Sequence, residues 1–184
     1  MSKILVAMSG GVDSSVTAAL LKNEGHEITG VTLKLWGGEQ DKGCCSVSDV
    51  DDARRVAQQL DIDHFVFNYG DQFDKYVVQP YVDSHVAGMT PNPCIECNRH
   101  IKFDALVERS HRLGFDALAT GHHVRLSGVG EGARLRRGAD MGKDQSYVLY
   151  MLSSKDLSYL RFPVGDLSKE AVRKYATELG LRTA

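Results

Sequence analysis

Short apolar runs of strand length alternate along this chain with longer segments whose apolar residues recur at helical spacing. Residues 4–8 predict a strand, and residues 14–24 a helix ended near Gly25. Residues 27–35 predict a second strand, in which Val31, Leu33 and Leu35 alternate. Residues 36–48 form a polar, Gly-containing loop with a pair of cysteines. Val50, Ala53, Val56, Ala57 and Leu60 then share one helical face, with Asp49 as the expected cap. Residues 64–68 predict a third strand. Residues 71–88 read as a long helix that Pro80 should kink or divide. Residues 89–98 predict a loop, 101–113 a helix and 115–120 a fourth short strand. Residues 124–126 and 133–136 predict two strands joined by a turn at Gly128 to Gly132, and residues 144–152 and 169–179 read as helices.

Strands alternating with helices imply an α/β fold: a doubly wound, mostly parallel sheet with helices on both faces. In such sheets ligands sit beyond the carboxyl ends of the strands, where strand order reverses. The loops after residues 8, 35 and 120 all follow strands and so gather at one end. With no internal repeat, low-complexity segment or linker, residues 1–184 read as a single domain, its last ~40 residues an incomplete extension.

Composition adds little to that picture and charge distribution more. The chain of 184 residues is 42% hydrophobic and 25% charged, as ordinary globular domains are. A net charge of −2 does not by itself point to nucleic acid. Yet Asp49, Asp51, Asp52, Asp61 and Asp63 make one segment acidic. Arg99, Lys102, Arg109 and Arg112, then Arg125, Arg134, Arg136 and Arg137, make the later part basic. A one-sided basic surface suits a phosphate backbone, and solvated helix faces suit the same pattern. No apolar stretch approaches transmembrane length and no secretory signal opens the chain, so a cytoplasmic protein with no membrane partner is expected. Its four cysteines, Cys44, Cys45, Cys94 and Cys97, are then expected to be reduced thiols, available for metal binding or catalysis.

The densest chemical signal is Met8-Ser-Gly-Gly-Val-Asp-Ser-Ser15, placed between the first strand and the first helix. Gly10 and Gly11 let a ligand approach the main chain, and a helix opening at Ser14 and Ser15 offers free N–H groups to an anion. The segment has no Lys and so is not a Walker A loop. It resembles the pyrophosphatase-loop (PP-loop) motif S-G-G-x-D-S, which holds the pyrophosphate of ATP in enzymes that transfer AMP to a carbonyl oxygen.

The second signal is Thr90-Pro-Asn-Pro-Cys-Ile-Glu-Cys-Asn98. Pro91 and Pro93 stiffen it. Cys97, just before a predicted helix and near Arg99 and Lys102, suits a thiolate nucleophile or sulfur carrier. Half a zinc site completed by Cys44 and Cys45, a dithiol redox pair and two inert thiols are the competing readings. His122 and His123 follow Gly121, where they suit a nucleotide contact, a solvent-facing position or a local hydrogen bond, and Trp36 suits core packing more than a ligand contact.

Taken together, Ala7-Met-Ser-Gly-Gly-Val-Asp-Ser-Ser, Gly43-Cys-Cys-Ser, Gly88-Met-Thr-Pro-Asn-Pro-Cys-Ile-Glu-Cys-Asn, Ile101-Lys-Phe, Ala119-Thr-Gly-His-His and Lys143-Asp-Gln-Ser-Tyr resemble, in order, the tRNA-specific 2-thiouridylases. The resemblance implies a PP-loop, adenine nucleotide alpha hydrolase-like fold. It implies activation of the C2 oxygen of a wobble uridine by ATP and displacement of AMP by persulfide sulfur to give 2-thiouridine. By position, Ala7, Met8, Ser9, Gly10, Gly11, Val12, Asp13 and Ser14 would line the phosphates, with Leu33 beside the adenine and Gly121 completing the pocket. Asn92, Pro93 and Cys94 would meet the target base, Cys97 would be the nucleophile, and Lys143, Asp144 and Gln145 would contact tRNA. Asp13 is the candidate for orienting Mg²⁺. The implied partners are tRNA and a persulfide donor protein.

Two departures from the family pattern bear on this. Some members carry Asp where this chain has Cys94. The family's persulfide-carrying cysteine lies soon after residue 184, so this chain is expected to bind nucleotide and to thiolate poorly. An iron–sulfur cluster at Cys94 and Cys97, with Cys44 a further ligand, is the alternative to a free persulfide. Another PP-loop adenylating enzyme, such as an amidotransferase synthetase, and a non-catalytic nucleotide- or metal-binding module are the alternative functions.

Overall fold

The structure, a computed structural model, describes residues 1–35, 47–128 and 130–183. Trp36, Cys44 and Cys45 lie outside the described residues. The strands are β1 (Lys3–Ala7), β2 (Glu27–Lys34), β3 (Asp63–Asn68), β4 (Ala117–Thr120), β5 (Val124–Ser127), β6 (Arg134–Arg137) and β7 (Leu160–Arg161). The helices are α1 (Val12–Asn23), α2 (Val47–Gln59), α3 (Gly70–Phe73), α4 (Gln79–Val86), α5 (Pro93–Glu96), α6 (Leu106–Arg112), α7 (Ser154–Tyr159) and α8 (Lys169–Glu178).

Five strands make one parallel sheet in the order β3-β2-β1-β4-β7. The chain winds outward from β1 through β2 to β3, then crosses to the other side of β1 and continues through β4. That reversal opens a crevice between the carboxyl ends of β1 and β4. Burial follows the strand period of two. Ile4, Val6, Ala117 and Ala119 face a core completed by Val16 and Leu21 of α1, Val56 of α2 and Val172 of α8. Leu5, Val31, Leu33 and Leu118 face the opposite core, with Phe73, Val77, Ile101 and Leu106. The expected doubly wound sheet is thus observed.

Several local expectations are corrected. α2 begins at Val47, so Asp49 lies inside its first turn and does not cap it. Residues 70–86 form one helical stretch in which α3 passes through a π turn, Asp74–Val78, into α4. Pro80 has no N–H to close an α-turn there, and the wider turn, with Gln79 N–H reaching Asp74 O, absorbs it without a break. The proline-rich loop is shorter than expected: Asn92 Oδ1 accepts Cys94 N–H at 3.0 Å, Pro93 takes the first helical position, and α5 starts there. From α5 the chain runs through a nine-residue π segment, Cys97–Ala105, into α6. Residues 144–152 do not form the expected helix, because the Asp144 carboxylate accepts the N–H of Gly138 and of Ser146 and the Ser146 hydroxyl. That turn competes with a helix and leaves one 3₁₀ turn at Ser146–Val148. Residues 145–183 contribute β7 and α8 to the same sheet and core. No helix among the described residues is long and apolar enough to cross a membrane.

Candidate nucleotide site

A cleft of about 180 Å³ lies at the β1–β4 reversal. Ala7, Met8, Ser9, Asp13 and Ser14 form one wall, Val31 and Leu33 the end of β2, and Thr120, Gly121 and His122 the other wall. The sequence-derived nucleotide residues Ala7, Met8, Ser9, Asp13, Ser14, Leu33 and Gly121 therefore meet in one place, and Gly10, Gly11 and Val12 form the turn that joins them. A larger, open recess of about 620 Å³ lies elsewhere, lined by side chains of both signs, among them Lys22, Arg54, Asp61 and Asp63. It touches the amino ends of β2 and β3, away from the usual ligand end of such sheets.

The turn is built for close backbone approach. Gly10 has φ +76°, and a Cβ there would stand 2.5 Å from Asp49 O of α2, so only glycine fits. Gly11 is the N-cap of α1 with extended backbone and no side chain to accept the first N–H groups. Those N–H groups lack intrahelical acceptors and are available to an anion. Ser14 Oγ donates to Gly11 O at 3.0 Å and accepts Ser9 N–H at 3.1 Å, which fixes the turn. Gly121 is a second obligatory glycine: a Cβ there would lie 2.7 Å from Ser14 N.

Asp13 is held from two sides. Lys169 Nζ donates to its two carboxylate oxygens at 2.6 and 2.7 Å, and His123 Nε2 donates to Oδ1 at 3.1 Å. Burial works to raise the Asp13 pKa, but the hydrogen bonds from His123 and Lys169 outweigh it and hold the carboxyl below its ordinary value. His122 is buried, its Nδ1 2.8 Å from Thr120 Oγ1 and its ring near Phe103 and Phe162. Desolvation, reinforced by Lys102 and His123, pushes its pKa well below the usual imidazole value. Of the positions open to the two histidines, both are buried: His122 takes the local hydrogen bond to Thr120 and lines the cleft, and His123 pairs with Asp13. It missed Lys169 and Lys102 as site residues. Lys102 was legible only as part of Ile101-Lys-Phe, and Lys169 is 156 positions from its partner.

The cysteine segment stands on a different element. Asn92, Pro93, Cys94 and Cys97 are not among the residues lining the cleft; Lys102, farther along the same helical stretch, is. Cys94 is exposed in the first turn of α5, and Cys97 is half-buried where the π segment begins. The expected stiff loop is thus a helix start, and Cys94 is the thiol nearer its positive end. Arg99 pairs with Glu96 at 3.3 Å, so its charge is shared with that carboxylate and is not Cys97's alone. Asn98 is buried and donates from Nδ2 to Val148 O at 3.4 Å, tying this helix to the segment after Gln145.

Lys143 is exposed, whereas Asp144 and Gln145 are half-buried and engaged within the protein. Gln145 Oε1 accepts His123 N–H at 2.9 Å, and Gln145 also lines the cleft. Beside this segment β5 and β6 pair antiparallel, with Arg125 opposite Arg136, and Arg125, Arg134, Arg136 and Arg137 all exposed.

The same geometry bears on metal binding. Both Asp13 oxygens are taken by Lys169, so Asp13 does not fit an open Mg²⁺ ligand. Among the described residues no three His, Cys, Asp or Glu side chains gather where they would hold a metal ion. Cys94 and Cys97 alone do not complete an iron–sulfur ligand set, and Cys44 is outside the described residues.

Comparison with known proteins bears on the family and the fold. The family model described as the tRNA methyl transferase HUP domain matches residues 2–184. A tRNA-specific 2-thiouridylase MnmA of Herpetosiphon aurantiacus is 54% identical over 189 residues, covering 100% of this chain and 53% of the relative. One from Geobacter metallireducens is 48% identical, with 99% and 52% covered. The chain thus spans about half the length of the curated relatives it matches. Among solved structures, the U34-tRNA thiolase NcsA of Methanococcus maripaludis with its [4Fe-4S] cluster aligns with TM-score 0.63 at 19% identity, over 98% of this chain and 58% of that one. A 4-thiouridine synthetase–RNA complex with bound ATP aligns with TM-score 0.58 at 18% identity, over 98% and 41%. At these identities the structural likeness concerns the fold. The phosphate-type turn, the crevice at the strand reversal and the full-length match lead to one conclusion: the chain belongs to the tRNA methyl transferase HUP domain family, among whose relatives are the tRNA-specific 2-thiouridylases.

Proposed function

We propose that this chain is the ATP-binding part of a tRNA-uridine 2-sulfurtransferase. It uses ATP to adenylate the C2 oxygen of a wobble uridine, with pyrophosphate as leaving group, and sulfur from a persulfide then displaces AMP. The observation that carries the reading is the turn Gly10–Ser14 at the mouth of the β1–β4 crevice, where the start of α1, with no side-chain cap, meets the Ser9 hydroxyl. The identity to 2-thiouridylases along the whole chain supports the choice of reaction.

In this reading the first turn of α1 binds the phosphates and stabilises charge on the departing pyrophosphate. Leu33 and Val31 flank the base of the nucleotide. Mg²⁺ enters as the counter-ion of ATP and not on a site made by the protein. Asn92, Pro93 and Cys94 meet the target uridine, with Asn92 fixing the helix start that presents them. Cys97 is the nucleophile that completes the transfer: once the outer persulfide sulfur has replaced AMP on C2, its thiolate attacks the inner sulfur, and the S–S bond breaks to leave 2-thiouridine and a disulfide. Lys143 and the arginines of β5 and β6 contact the phosphate backbone of tRNA. A cytoplasmic setting and a persulfide donor protein complete the proposal. The iron–sulfur alternative would draw on Cys94 and Cys97 together with Cys44, which lies outside the described residues.

Calorimetric titration with ATP tests the reading. Gly11 has extended backbone, and a Cβ there would meet only Ser9 Oγ, at 3.6 Å. Gly11→Val is therefore expected to fold while its side chain fills the phosphate space and abolishes ATP binding. Wild-type ATP affinity in a folded Gly11→Val protein would place the nucleotide elsewhere.

A further inference from the structure

We propose that Lys169 is a positioning residue of the nucleotide site, cancelling the charge of Asp13 beside the phosphates and holding its carboxylate in place. The proposal rests on the reading of the cleft as an ATP site.

The phosphate-binding turn, residues 9–15, contains no Lys or Arg, and what it offers an anion is N–H and hydroxyl groups. Asp13 adds a negative charge at the same helix start, on the cleft wall, and its depressed pKa keeps it ionised. Unopposed, that carboxylate repels a polyphosphate and competes for the α1 N-terminus. Lys169 opposes it in a fixed geometry. Its ammonium spans the two carboxylate oxygens, and its side chain is only 18% exposed. α8 is packed on α1 through the Val16–Val172 core, so the ammonium is delivered from a rigid element.

The backbone of Lys169 is itself anchored. Its N–H donates to Asp140 Oδ2 at 2.9 Å, and Asp140 Oδ1 accepts Gly142 N–H at 3.0 Å. The other partner of Asp13, His123, is bonded to Gln145 through both main-chain groups: His123 N–H reaches Gln145 Oε1, and Gln145 N–H reaches His123 O at 3.2 Å. Both groups that hold Asp13 are therefore fixed by residues 140–145. Lys169 carries the charge and Asp140 places it.

A double-mutant comparison tests the assignment, with ATP affinity measured in EDTA so that magnesium plays no part and thermal unfolding recorded alongside. Lys169→Met is expected to weaken ATP binding roughly tenfold, because Asp13 then faces the phosphates with its charge uncancelled, held only by the His123 hydrogen bond. Adding Asp13→Asn removes that charge and is expected to restore affinity to within about threefold of wild type. Lys169→Arg, which keeps a fork for the carboxylate, should retain most of the affinity. A Lys169→Met protein that is folded and binds ATP as wild type does would overturn the inference, leaving Lys169 a structural ion pair. A double variant that stays tenfold weak would overturn it too, since Lys169 would then be contacting phosphate directly. If Lys169→Met does not fold, Lys169→Gln, whose amide still donates to the carboxylate but carries no charge, takes its place, with the same loss expected and wild-type affinity overturning the inference. Absence of ATP binding by the wild-type chain would instead overturn the reading of the cleft, and the inference with it.

Discussion

Gly121 at the end of β4 lies so close to Ser14 in the first turn of α1 that a Cβ on Gly121 would stand 2.7 Å from the Ser14 nitrogen. The two walls of the crevice touch there, and the contact sets its width. Gly121→Ala must push α1 away from β4, an overpacking that costs about 1–3 kcal/mol. It should also displace the N–H groups that face the phosphates. Urea unfolding and ATP titration of Gly121→Ala check both effects. An unchanged midpoint with unchanged affinity would show that β4 and α1 are free to separate.

Cys97 is half-buried against the apolar core on its side of the sheet, and serine is nearly isosteric there. Cys97→Ser, in a protein with the whole length of the curated relatives, should abolish 2-thiouridine while leaving ATP affinity nearly unchanged. Mass spectrometry of tRNA nucleosides measures the first and calorimetry the second. Normal 2-thiouridine from that variant would move the nucleophile to another thiol, with exposed Cys94 at the α5 start the next to test.

The buried imidazole of His122 makes stability depend on pH. Its folded-state pKa lies well below the unfolded value of about 6.5. The unfolded chain therefore binds a proton that the folded chain refuses. The stability tied to the uncharged ring is fully present above about pH 6.5 and is lost as pH falls from there toward the folded pKa. His64, whose pKa is lowered by burial and by Arg54, contributes in the same direction. The melting temperature should fall between pH 7.5 and 5.5, and less steeply in His122→Gln. Parallel pH profiles for the two proteins would show that His122 is not the titrating group.

On the outer surface Arg125 and Arg136 stand opposite each other in the β5–β6 ladder, a like-charge pairing that an anion relieves. Arg136→Ala and Lys143→Ala should each weaken tRNA binding and lower the salt dependence by about one counter-ion, with ATP affinity unchanged. A loss of ATP affinity with intact tRNA binding would reverse the assignment.

The sheet was legible because its central strand is buried on both faces and reads as an unbroken apolar run from Ile4 to Val6, and because Val31, Leu33 and Leu35 alternate in and beyond the next. The nucleotide turn was legible because its chemistry is local in sequence. Other features arise from side chains competing with the backbone or from tertiary neighbours. Asp144 folds residues 144–152 into a turn where apolar spacing predicted a helix. Asn92 starts a helix where two prolines predicted a loop. β7 has only two residues and takes its identity from pairing with Leu118 and Ala119. α7 had a readable signal in Ser153 and Asp156, which form a capping box. Lys169 joins the site across 156 positions, and no spacing rule links it to Asp13.

Pyrophosphate release in the presence of ATP and Mg²⁺ tests the central claim most directly. The tRNA is supplied either with an unmodified wobble uridine or with 2-thiouridine already in place. Release that requires the unmodified tRNA, falls away with the thiolated one and is absent in Gly11→Val is the expected result. Release that proceeds equally without tRNA, or equally with the thiolated tRNA, would contradict adenylation of the wobble uridine as the work of this fold.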